Sequence, residues 1–110
     1  MHAFDVLGDP VRRRILELLA EGEHASGAVV EVIATEFGIS QAGVSQHLKV
    51  LRDNGFAKVR AEGTRRVYQL DTTPLQGIDD WLERFRVFWP VKLEALATEI
   101  ARGKKGRGEG

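Results

Sequence analysis

The sequence predicts a mainly α-helical domain carrying one small β-hairpin, in the order helix, helix, tight turn, helix, hairpin, long helix. Three observations predict it. Apolar residues recur at helical spacing in three stretches between Val11 and Leu51. The pattern then changes to β-branched and aromatic residues in "FAKVR" and "RRVYQL". From Pro74 onward the helical spacing returns. A chain of 110 residues makes one domain, since domains run roughly 100–150 residues.

Each element has local signals. Asp9-Pro10 is a helix start, with Asp as N-cap and Pro at the first helical position. Val11, Ile15, Leu18 and Leu19 form its stripe, and Gly22 follows its end. Ser26 is expected to cap the second helix, whose buried stripe is Val29, Val30, Ile33 and Phe37. Gly38 supplies a left-handed residue for a sharp turn. Ser40 caps the third helix, which runs over 40–53 with Val44, Leu48 and Leu51 inward, and Asn54-Gly55 ends it. "AEGT" holds the Gly of the hairpin turn. Thr73-Pro74-Leu75-Gln76 reads as a capping box. The last helix is expected over 74–101, kinked or divided at Pro90. The domain thus spans 1–101, and the Gly-rich, basic tail 102–110 is expected to be disordered.

Composition excludes several classes. There is no cysteine, hence no disulfide, thiolate metal site or cysteine redox switch. No apolar run approaches the ~20 residues of a membrane span. The opening "MHAFDVLGDPVRRR" lacks a basic-then-apolar export signal, so a cytoplasmic protein with no membrane partner is expected. The formal net charge is zero, but it is unevenly spread. Residues 1–37 hold three basic and seven acidic side chains, whereas residues 38–70 hold six basic and two acidic. A local excess of this kind is what a polyanion feels. The competing reading is ordinary fluctuation on a solvated face.

Two helices joined by a short Gly-bearing turn are a helix-turn-helix, and a hairpin directly after them makes a winged helix. Opposite the apolar stripe of the third helix lie Ala42, Ser45, Gln46, Lys49 and Asp53, with Gln41 at the exposed N-terminal end. A major groove asks for such a face. Gln and Ser bond base edges, Ala42 approaches a thymine methyl, and Lys49 reaches a phosphate or guanine. An ordinary surface helix carries Glu–Lys pairs instead. The helix start also presents free N–H groups to a phosphate. On the wing, Arg65 and Arg66 flank the Gly turn and Arg60 lies on the facing strand, placed for backbone contact. An edge strand kept soluble by charge is the bland alternative for "TRR". Double-stranded DNA is the partner these features favour.

"DPVRRRILELL", "FGISQAGVSQHLKVLRDNGFAKVRAEGTRRVYQLD" and "WLERFRVFW" together resemble the ArsR-type winged-helix transcriptional regulators, over about residues 3–97. The resemblance implies a homodimeric, usually repressing DNA-binding protein, with the third helix in the major groove and the hairpin as wing. By position, Ser40, Gln41, Ala42, Ser45, Gln46 and Lys49 would carry recognition, helped by Arg65 and Arg66. Arg52, Arg60 and His47, at the flank of the third helix, complete the candidate DNA-binding set. Metal-sensing members place a Cys-x-Cys pair near the second helix, or His and carboxylate ligands on the last helix. Here the first region reads "EGEHASGAVVEVI" and the last helix has no histidine. His24 with Glu21 and Glu23 is a weak cluster, read as a solvated loop. Neither metal nor other cofactor is expected. The last helix is closer to that of non-metal members.

Ile78, Trp81, Leu82, Phe85, Phe88, Trp89, Leu93, Leu96 and Ile100 fall within roughly 140° on a helical wheel. That exceeds what one small domain covers, and large apolar patches mark interfaces. A two-fold homodimer is expected, with Phe4 and Leu7 joining Trp81, Phe85, Phe88, Trp89, Leu93 and Leu96, and Ala3 beside them. The alternative is a helix folded back over its own core. A rival function is a protein-interaction winged helix using the Trp81–Trp89 stripe; RNA binding lacks an aromatic stacking platform. An enzyme is the weakest reading, with no phosphate loop and no nucleophile–base pair. A small-molecule or protein effector is left unassigned.

Overall fold

The computed structural model describes residues 1–90. Eight elements follow one another: α1 (Ala3–Leu7), α2 (Pro10–Ala20), β1 (His24–Ala25), α3 (Ser26–Phe37), α4 (Gln41–Asp53), β2 (Ala57–Glu62), β3 (Arg65–Leu70) and α5 (Thr73–Leu82). A 3-10 segment, Glu83–Phe88, extends α5. The strands form one antiparallel sheet in the order β1-β3-β2.

The core is built by the expected stripes. Ile15, Val29, Ile33, Val44 and Leu51 are fully buried. Phe56, on the connection from α4 to β2, is the largest fully buried side chain. Its N–H donates to the Leu51 carbonyl and its carbonyl accepts from Asp71, both at 2.9 Å, so it ties α4 to both ends of the hairpin. Asp9 caps α2 as expected, its Oδ1 accepting from Val11 at 2.8 Å and Arg12 at 3.3 Å. Gly38 has φ +64°, a conformation open to glycine at little cost, and it turns the chain from α3 into α4.

Several expectations are corrected. The amino-terminal segment is itself a short helix, α1, closed by a capping box between His2 and Asp5. Ser26 does not cap α3; Ala25 holds the cap position with no side-chain bond. The reason is tertiary. His24 and Ala25 pair with Tyr68 and Val67 as a third strand, which places the helix start at Ser26. The stretch read as a solvated loop therefore contains β1, and the His24 Nε2 is buried without a partner. Thr72, not Thr73, precedes α5. Asp71 takes the Thr73 N–H and hydroxyl at 3.0 and 2.7 Å, while Gln76 reaches back to the Thr72 hydroxyl at 3.0 Å.

The last helix changes character before Pro90. The α-helix ends at Leu82, tightens to 3-10 through Phe88, and Trp89 is extended at φ −81°, ψ 135°. A residue before proline is pushed out of the helical region by the ring, so the helix stops short of Pro90, where a kink or division was expected. Leu93, Leu96, Ile100, the end of the 1–101 domain and the tail 102–110 lie outside the described residues.

Burial pushes the Asp9 carboxyl up, but the Arg12 and Val11 N–H groups, with the charge of Arg12, outweigh it and hold the group below its ordinary value. A carboxyl depressed in this way stabilises the fold above its unfolded-state value and loses that contribution as pH falls through the folded value. Asp9→Ala is therefore expected to cost about 1 kcal/mol at pH 7, with the gap to wild type closing below about pH 4. Denaturant unfolding at pH 7 and pH 3 measures both; an equal gap at the two values contradicts the assignment.

Candidate nucleic-acid interface

Apolar residues at 44, 48 and 51 recur every three to four positions, so α4 has one face it must bury. Val44, Leu48 and Leu51 are buried, and this turns Gln41, Ala42, Ser45, Gln46 and Lys49 outward, all exposed. Ser40 sits before them, its Oγ accepting from the Gly43 N–H at 3.0 Å. Its hydroxyl proton is left for an outside acceptor. The first two turns of this outer face hold amides, hydroxyls and a methyl and no charge, as a groove of base edges requires.

The wing stands beside the carboxyl end of α4. β2 and β3 pair from Ala57↔Leu70 to Glu62↔Arg65 around a two-residue loop, Gly63-Thr64. Gly63 has φ +63°, the conformation a two-residue hairpin demands of its first loop residue. Arg52 from α4 meets Thr64, Arg65 and Arg66 around a depression of about 490 Å³. The fold thus brings together α4 and the wing, which sequence spacing kept apart.

Carboxylates occupy part of this basic surface. Arg60 grips Glu23 with two bonds, at 2.6 and 2.7 Å, and Glu62 at 2.9 Å. Arg65 also holds Glu62 at 2.9 Å. Arg60 hydrogen bonds hold Glu23 and Glu62 below the usual carboxylate range, with Arg65 adding to the effect on Glu62, while both carboxylates raise Arg60 further. Arg52 and Lys49 share Asp53, at 3.2 and 3.9 Å. Arg66 makes no ion pair among the described residues. His47 is half-buried, its Nδ1 lying 3.3 Å from Arg12. Glu23 and Arg12 were missed by the sequence reading. Their partners lie 37 and 35 residues away, beyond any local pattern.

A second surface is formed by α1, α5 and the segment after it. Phe4 meets Trp81 edge-on at 5.2 Å, and Trp81 meets Phe85 at 4.7 Å. α5 buries no residue fully, and only its Leu75 is among the partly buried side chains packed against the core. Phe88 and Trp89 are exposed, with Arg86 over the Trp89 ring at 5.9 Å. Leu7 is partly buried against the chain's own core.

Comparison with known proteins decides the family. Residues 7–60 match the model of a helix-turn-helix domain. The chain is 45% identical over 98 residues to the HTH-type transcriptional regulator Rv2034 of Mycobacterium tuberculosis, covering 89% of this chain and 85% of that one. It is 37% identical over 78 residues to the arsenical resistance operon repressor of Staphylococcus xylosus, covering 71% of each. The chain belongs to the ArsR-type winged helix-turn-helix transcriptional regulators. The solution structure of the homodimeric winged helix-turn-helix DNA-binding domain Mb0332 from Mycobacterium bovis, a possible ArsR-family regulator, superposes on it with a TM-score of 0.53. That pair is 29% identical, over 92% of this chain and 76% of the other.

This ArsR-type regulator therefore binds DNA to control transcription, and α4 and the wing are its structural counterpart of that activity. The domain match ends at Arg60, before the wing tip and α5. Among the described residues no group of His, Asp and Glu could hold a metal ion, and no helix is long and apolar enough to cross a membrane.

Each phosphate neutralised by a cationic side chain contributes about 0.9 to the slope of log affinity against log salt. Arg66→Ala is expected to lower that slope by about 0.9 on a mixed-sequence duplex. Glu62→Gln, which frees Arg65, is expected to tighten binding at low salt. Fluorescence-anisotropy titrations at several salt concentrations read both; an unchanged slope in Arg66→Ala contradicts the wing assignment.

Proposed function

We propose that the chain is a homodimeric repressor of a near-palindromic operator, acting in the cytoplasm and catalysing no reaction. Ser40, Gln41, Ala42, Ser45, Gln46 and Lys49 read or line the major groove. Arg52, Arg65 and Arg66 hold the phosphates that flank it, and Arg60, gripped by Glu23, keeps the wing at its angle. The observation that carries this reading is the outer face of α4: exposed, polar, uncharged over two turns, and fixed by a buried stripe behind it. Repression is supported by the arsenical resistance repressor among its relatives.

Dimerisation is supported by the homodimeric Mycobacterium bovis domain and by the exposed Phe4–Trp81–Phe85 cluster. A closed two-fold pair buries that aromatic surface in itself. It also sets two copies of α4 about one helical turn of DNA apart, roughly 34–36 Å.

Selection from a random duplex pool, with sequencing of the bound fraction, tests the reading. The expected product is a near-palindrome whose enrichment is lost in Gln46→Ala and whose complex contains two chains by sedimentation. Trp81→Asp is expected to give monomers that bind the same duplex more weakly. Enrichment that survives Gln46→Ala contradicts base reading by α4. It would point to the exposed Val87–Trp89 end as a protein-binding surface instead.

A further inference from the structure

Three helices meet at the Arg12 guanidinium. Nε donates to the Val6 carbonyl at 2.8 Å and Nη2 to the Asp5 carbonyl at 2.9 Å, both in α1. Nη1 lies 3.9 Å from Asp9 Oδ2, the carboxylate that caps α2. The same Nη1 lies 3.3 Å from Nδ1 of His47, on α4. The Arg12 side chain is 13% exposed, so these partners are held in a mostly dry junction.

The chemistry of the pair is asymmetric. A guanidinium has five N–H donors, no acceptor, and keeps its proton. Its contact with Nδ1 is a hydrogen bond only when that nitrogen carries a lone pair; otherwise two donors face each other. The bond therefore selects the imidazole form whose proton sits on Nε2. His47 Nε2 makes no bond within the described residues. The buried side-chain nitrogen without a partner among them belongs to His24, so the Nε2–H edge of His47 reaches the surface. Phosphate oxygens only accept, and an outward N–H on the flank of α4 suits one.

We propose that Arg12 is a positioning residue for DNA recognition: it holds His47 so that α4 presents the Nε2–H to a phosphate. The place of that donor is set by α1 and α2 as well as by α4. The apolar stripe of α4 resists rotation but has no directional bond of its own, and the Arg12–His47 contact supplies one. The proposal rests on the reading of α4 as the DNA-contacting helix.

A double-mutant cycle on the full chain tests it, with a mixed-sequence duplex as probe because the contact is to phosphate. His47→Ala is expected to weaken binding about tenfold and to leave the salt slope unchanged, because a neutral N–H releases no counterion. Arg12→Met is expected to weaken binding similarly, and the double variant no more than either alone. Arg12→Lys replaces Arg12→Met if the latter unfolds, since it keeps a charge beside Asp9. Additive losses, or affinity untouched by His47→Ala while Lys49→Ala weakens binding, overturn the proposal. Affinity untouched by both His47→Ala and Lys49→Ala instead overturns the reading of α4. The DNA-free protein gives an independent readout. Long-range 1H–15N spectra of His47 are expected to show the Nε2–H form, and a proton on Nδ1 overturns the proposal.

Discussion

What α4 turns inward fixes what it can offer outward. Val44, Leu48 and Leu51 are buried against α2, α3 and the hairpin, with Phe56 closing the end of the helix. Each such side chain contributes about 1.5–3 kcal/mol by leaving water. Turning the helix by one residue position would expose them and bury Ser45 and Lys49 without partners, so a single azimuth is allowed. Its start is pinned as firmly, by the left-handed Gly38 and the Ser40 cap. A rigid, exposed polar face is the condition for direct readout, and the buried stripe, the Gly38 turn and the Ser40 cap together provide it.

Electrostatics refines that arrangement. A chain with zero net charge has to hold its basic surface beside its own carboxylates. Glu23 and Glu62 bind Arg60 and Arg65 tightly enough to lower both carboxyls, yet all four groups lie at the surface, where salt screens them. The wing therefore has a defined shape without DNA. A phosphate competes with Glu62 for Arg65 but finds Arg66 without a carboxylate among the described residues. Affinity then rests on few contacts, and the uncharged face of α4 carries the discrimination.

Legibility in the sequence follows the range of the interactions. Asp9-Pro10, Gly38 and Ser40 act within one turn, and the structure uses each as the pattern indicates. The outer face of α4 was legible for the same reason, since it is the complement of a periodic stripe. Ser26 failed as a cap because a strand pair with Tyr68 decides where α3 begins. The interruption of the last helix at Pro90 was legible too, because proline acts on the residue before it and Trp89 leaves the helix. The Arg60–Glu23 and Arg12–His47 contacts join residues that only the fold brings together, so no spacing rule could reveal them.

The central claim is that DNA meets this chain at α4 and the wing. The most direct measurement is a 1H–15N chemical-shift titration of the full chain with its selected duplex. The expected result is that backbone amides of Gln41–Lys49 and Gly63–Arg66 move on DNA addition, while those of Phe85–Trp89 do not. Shifts confined to Phe4, Trp81 and Phe85–Trp89, with α4 unmoved, would contradict it.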